Sequence, residues 1–103
     1  MEKLFQEIKN ELTQGYAQVK PGNMMRSPAI CYSSKVFCFY HNSQMCFKLD
    51  KQAPHFKDQF PGSTYLIPFK NKPPMKGWLM VPQEYQNHWK ELANHALSHL
   101  MNK

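Results

Sequence analysis

Lys35-Val36-Phe37-Cys38-Phe39-Tyr40, then His41-Asn42-Ser43, then Gln44-Met45-Cys46-Phe47-Lys48-Leu49 is the stretch that decides the fold class. Its first six residues are β-branched, aromatic or otherwise apolar on both alternations. That pattern predicts a central strand covered on both sides. His41 to Ser43 is of hairpin length, with an Asn that tolerates turn geometry. Gln44 to Leu49 alternates, with Met45, Phe47 and Leu49 on one face and Lys48 on the other. Just upstream, Ala29 to Tyr32 is short and apolar and Ser33-Ser34 turns the chain. Two successive hairpins imply an antiparallel meander.

Further along, Pro54, Pro61 and Gly62 punctuate residues 50 to 62, with one helical turn around His55 to Gln59. Thr64 to Phe69 reads as a fourth strand, confined to an edge or bulge by Pro68. Asn71 to Pro74 is a loop, and Lys76 to Val81 reads as a fifth strand. Pro82 then opens a closing helix, where its missing N–H costs nothing. On that helix Tyr85, Trp89, Ala93, Ala96, Leu97 and Leu100 fall on one side at 100° per residue, beside a stripe of His88, Leu92, His95 and His99.

Before the strands, Leu4, Phe5, Ile8 and Leu12 share one helical face over residues 2 to 14, and Gly15 is a natural stop. Pro21-Gly22-Asn23 reads as a turn. The expected class is therefore α+β: two layers, with an antiparallel five-stranded meander-like sheet flanked by an N-terminal and a C-terminal helix. The 103 residues fit one domain. Fourteen aromatic rings (seven Phe, five Tyr, two Trp) supply the buried area it needs.

Composition narrows the function classes. The chain has no run of 18 apolar residues, so no membrane span is expected. MEKLFQEIKNEL lacks the apolar core of a signal peptide, and the expected location is the cytoplasm. Cys31, Cys38 and Cys46, each in an apolar run, read as small buried hydrophobes rather than as a disulfide framework. Four scattered glycines make no phosphate loop, so no nucleotide cofactor is expected. Serines lack a nucleophile elbow, and three of the seven acids sit on the first helix as an exposed face. Asp50 and Asp58 read as turn formers. No enzyme is expected.

Two constellations could still carry function. His95 and His99, at i and i+4, could chelate one metal ion; without a nearby third ligand, a boundary face of the helix is the plainer account. The net charge of +6 rests on twelve Lys and one Arg. Arg26, Lys35, Lys70, Lys72 and Lys76 are the cations that could meet a nucleic-acid backbone, with Phe69 and Trp78 near enough in sequence to stack on a base. Against that stands a solvated loop that keeps the protein soluble. Lysine-rich cations meet phosphates as point charges and suit sequence-specific reading poorly.

Residues 22 to 100 also resemble a known family. In MMRSPAICYSSKVFCFYHNSQMCFKL, Met24, Pro28, Lys35, Phe37, Lys48 and Leu49 match the opening of the TfoX amino-terminal-like and YjbR-like (MmcQ-related) domains. In PPMKGWLMVP and HWKELANHAL, Pro74, Met75, Trp78, Val81, Pro82, Trp89, Leu92 and Ala96 match their second motif and closing helix. The family's Phe-Gly pair is replaced by Met25-Arg26 and its hairpin Gly by Ser34. The resemblance implies a fold akin to the secretion-chaperone-like one and little about activity, with DNA binding suggested for YjbR-like members. A non-enzymatic module with a protein partner is the leading expectation, and nucleic-acid binding the alternative.

Overall fold

In the structure, a computed structural model describing residues 2–24, 26–67 and 73–102, the elements run in an α-β-α order. Helix α1 spans Glu2–Gly15, followed by strands β1 (Val19–Met24), β2 (Ser27–Tyr32), β3 (Lys35–His41) and β4 (Gln44–Lys48). A 3₁₀ turn (Asp50–Gln52) leads into α2 (Ala53–Gln59). Strands β5 (Thr64–Leu66) and β6 (Met75–Pro82) follow, and a second 3₁₀ segment (Gln83–His88) precedes α3 (Trp89–Met101). The class is α+β, an open antiparallel sheet of six strands in the order β1-β2-β3-β4-β6-β5 with three helices among the described residues.

Four expectations are corrected. The sheet has a sixth strand because Pro21-Gly22-Asn23 lies within β1, paired with Ile30, Ala29 and Pro28, rather than in a turn. An edge strand tolerates the missing N–H of Pro21. Gly22 leaves room there for Cys31, whose Sγ would sit 2.5 Å from a Cβ and would have to move. Secondly, the sheet is no simple meander: β6 lies between β4 and the edge strand β5. Thr64 to Phe69 contracts to the three residues of β5, which carries a bulge between Tyr65 and Leu66; Pro68 and Phe69 lie outside the described residues. Thirdly, the turn around His55 lengthens to α2, with Pro54 in its first turn. Lastly, Pro82 ends β6 instead of opening α3. The 3₁₀ segment Gln83–His88 intervenes, kinked at a non-helical Tyr85 (φ −105°, ψ 24°) whose hydroxyl donates to the Pro61 carbonyl.

The helices pack on one face of the sheet. Phe5, Ile8 and Leu12 of α1 meet Trp89, Leu92, Ala93, Ala96, Leu97 and Leu100 of α3 over Ile30, Cys38, Met45, Phe47, Leu79 and Val81. Leu92, expected on the histidine stripe, is buried with the apolar face. A bulge explains the doubly apolar β3: Ile30 pairs with Cys38 and Cys31 with Val36, which leaves Phe37 as the extra residue. Phe37 and Cys38 thus both join the helix-side core, while Phe39 joins the other face.

Two tight connections join β2, β3 and β4. Ser33-Ser34 (φ 49°, 70°) and Asn42-Ser43 (φ 50°, 63°) hold both central residues in the left-handed region. That is the hairpin geometry whose twist suits the strands, normally with Gly second. Arg26 (φ 68°) also takes a left-handed conformation. A left-handed L-residue costs about 1–2 kcal/mol. Ser34→Gly and Ser43→Gly are each expected to raise stability by about 1 kcal/mol, net of the glycine's greater unfolded-state entropy. Chemical denaturation checks this; a loss at both positions would contradict it.

Candidate functional site

The two histidines of α3 reach across to the turn after β4. Chain direction reverses there because Asp50 takes a left-handed conformation (φ 51°), which Asp tolerates better than most residues. The turn leans on β6: Leu49 N–H donates to the Gly77 carbonyl at 2.8 Å. A Cβ on Gly77 would come within 3.2 Å of Asp50 Oδ1 and 3.3 Å of its Cα, so glycine eases the close approach of the strand to the turn. From the helix, His99 Nε2 meets Asp50 Oδ2 at 2.9 Å, both side chains part-buried. One turn earlier, His95 Nε2 donates to Gln52 Oε1.

His95 and His99 each direct Nε2 at a different partner on the 3₁₀ turn, and no group of three metal-ligating side chains occurs among the described residues. The stripe fastens α3 to the turn. Asp50 was missed as the partner because 49 residues separate it from His99, and no local pattern spans such a gap. His88 is exposed and lies near Glu91 of its own helix.

Around the Asp50–His99 pair lies an open pocket of about 640 Å³, lined by Asp50, Lys51, Pro54, Lys76, Gly77 and His99. Ion pairs among the described residues join His88 to Glu91, Lys90 to Glu11 and His99 to Asp50; Lys51 and Lys76 take part in none.

The predicted cations divide. Arg26 precedes β2 and Lys35 pairs with Tyr32 at its far end, roughly 20 Å away at strand rise. Lys70 and Lys72 lie outside the described residues. Lys35 and Lys76, however, share an end of the sheet. The registers bring Lys20 of β1, Lys48 of β4 and Lys51 of the 3₁₀ turn to that same end. Four strand spacings, roughly 19 Å, separate Lys20 from Lys76. Only the register reveals this grouping.

The sheet's second face carries its own apolar cluster: Ala29, Phe39, Cys46, Leu66 and Trp78, with Met24, Val36 and Met80 part-exposed against it. Phe39 and Trp78 pack with ring centroids 5.8 Å apart. Nearby at the chain's bends, Ile67 and Met75 are 58% and 38% exposed.

Burial pushes Cys38 and Cys46 well above the usual thiol value, with Cys46 and then Cys31 adding to the effect at Cys38. Cys31, only partly buried rather than enclosed as expected, is raised by desolvation as well. A thiol that does not ionise is neither a nucleophile nor a soft-metal ligand at neutral pH. No helix among the described residues is long and apolar enough to cross a membrane.

Compared with family models, curated proteins and solved structures, the chain matches none.

Proposed function

We propose that this chain is a non-enzymatic interaction module, a TfoX amino-terminal-like or YjbR-like domain, that meets a protein partner through the outer face of its sheet. The observation that carries this reading is the part-exposed apolar rim of that face, Met24, Val36 and Met80, set around a buried cluster of Ala29, Phe39, Cys46, Leu66 and Trp78. A two-layer α+β domain ordinarily turns polar residues to the side its helices leave bare. Here β3, β4 and β6 turn Phe39, Cys46, Trp78 and Met80 there instead, with Met24, Val36 and Met80 reaching solvent. Methionine-edged apolar surfaces adapt to a partner's shape, because the thioether side chain is unbranched and polarisable. The two motif segments behind the family resemblance coincide with β2 to β4 and with β6 to α3.

Affinity capture from the native cell tests the reading. Wild type and Asn94→Lys, altered on the exposed side of α3, should retain one and the same partner; Met80→Lys, still folded by its thermal midpoint, should lose it. Equal retention by all three, or no partner for wild type, would overturn the proposal.

The second reading, nucleic acid, is favoured by the lysine end of the sheet. Its signature is salt dependence, because each neutralised phosphate releases counterions. Four or five engaged lysines give a slope of log K against log salt of about −4 on duplex DNA, reduced by about two units in a Lys35→Ala/Lys76→Ala variant. The expected result is no submicromolar binding near physiological salt. A steep slope lost in that variant would reverse the ranking.

A further inference from the structure

We propose that the pocket between the 3₁₀ turn, α2, α3 and the start of β6 is a binding site for a small organic anion, a carboxylate or phosphate carried on a compact apolar body. It is a separate site from the apolar cluster of the outer sheet face, with which it shares no lining residue.

Size and chemistry of the walls lead to that ligand class. About 640 Å³ falls within the range of small-molecule sites, where a mainly apolar lining surrounds a few convergent polar groups. Pro54 and the backbone at Gly77 supply flat apolar wall, and the aliphatic stems of Lys51 and Lys76 extend it. Among the described lining residues those two lysines carry the ammonium groups, and neither is committed to a described carboxylate.

Asp50, the one carboxylate among the described lining residues, is already engaged. His99 takes its Oδ2 at 2.9 Å, and Oδ1 lies against Gly77. Two lysines against one occupied carboxylate leave the site attractive to anions. The floor is also fixed before any ligand arrives. His99 and His95 fasten the turn to α3, the Leu49–Gly77 hydrogen bond fastens it to β6, and Ala53 is fully buried beneath. A site whose walls are already ordered loses little freedom on binding, which favours even a modest ligand.

Amide chemical-shift titrations of the full chain test this with phenyl phosphate, benzoate, inorganic phosphate and the neutral benzyl alcohol. Phenyl phosphate, benzoate or both should shift the amides of Lys51, Gly77 and His99 saturably, with a Kd of about 1 mM or tighter. Which of the two binds more tightly identifies the head group. Lys51→Ala and Lys76→Ala are changes at exposed side chains and should keep native amide dispersion. Each should weaken binding about fivefold or more, whereas Lys90→Ala, at a lysine paired with Glu11, should leave it unchanged. The proposal is overturned if neither aromatic anion saturates, if shifts follow lysines across the whole surface, or if the Lys51 and Lys76 variants bind as wild type does. It is overturned equally if benzyl alcohol or inorganic phosphate binds as tightly as phenyl phosphate, because head and body are then not both required.

Discussion

Trp89→Ala is expected to destabilise the protein by about 3–5 kcal/mol, while Lys90→Ala, at the very next residue, should cost less than about 1 kcal/mol. Trp89 is wholly buried where α3 begins, and it packs edge-on to Tyr40 with centroids 6.3 Å apart. Truncation removes that area from the core and leaves a cavity that α1, α3 and the sheet can only partly close. Its indole Nε1 is buried without a hydrogen-bond partner, so no polar contact is lost with the ring. Lys90 points away, its ammonium 2.7 Å from Glu11 Oε1, with both side chains more than half exposed. Exposed pairs of that kind contribute little. Against a typical stability of about 5–15 kcal/mol, the first change should lower the denaturation midpoint severely or abolish folding. Leu97→Ala, on the same buried face, keeps the test open if Trp89→Ala does not fold, with a loss of about 2–5 kcal/mol. Losses of equal size from Leu97→Ala and Lys90→Ala would mean that α3 does not bury this face.

The second large effect lies in the alkaline range. Cys38 and Cys46 are held neutral by burial, with values raised far above the usual thiol's about 8.5. Below that pH both folded and unfolded chains carry neutral thiols, and stability is unaffected. Above it the unfolded chain releases protons that the folded chain keeps, so stability falls as pH rises. Each thiol shifts the folding constant about tenfold per pH unit, roughly 3 kcal/mol per unit for the pair. Urea midpoints should therefore hold steady from neutrality to about pH 8.5 and then decline. A Cys38→Ala/Cys46→Ala variant should start lower at pH 7, having lost buried volume, yet decline less steeply by about 3 kcal/mol per unit. Lysine and tyrosine titrations are common to both proteins and cancel in the difference. Parallel curves would show that the two thiols ionise freely in the folded state.

What the sequence made legible follows from how far each signal reaches. The buried face of α3 was readable because a helix repeats its neighbours every few residues, so Trp89, Ala93, Ala96, Leu97 and Leu100 declare their common side within one segment. The hairpins around Ser33-Ser34 and Asn42-Ser43 were equally local. Strand β1 was hidden because Pro21, Gly22 and Asn23 carry a strong local turn signal, while their pairing depends on β2. The placing of β6 beside β4 left no trace in either strand's alternation, since period two reports faces and not neighbours. The candidate pocket was illegible for the same reason. Asp50 looked like a turn former, which it also is, and its histidine partner lies on the last helix. Likewise Lys20, Lys48 and Lys51 joined the lysine end only once the registers were known.

Strand order also governs the sequence of assembly. The hairpins from β1 to β4 close over turns of a few residues, so that four of the six strands can zip as the chain emerges. The strand β5 cannot follow in turn, because its sheet partner is β6 alone and β6 is made later in the chain. Joining β6 to β4 closes a loop from Lys48 to Trp78, a slower event than any of the hairpins. Until it happens, β4 is an open edge with Met45, Cys46 and Phe47 in its middle, the kind of strand that pairs with another copy in a crowded solution. In the finished sheet β4 is interior, and the free edges are β1, interrupted by Pro21, and the three-residue β5. The chain's most adhesive edge therefore exists only while it folds.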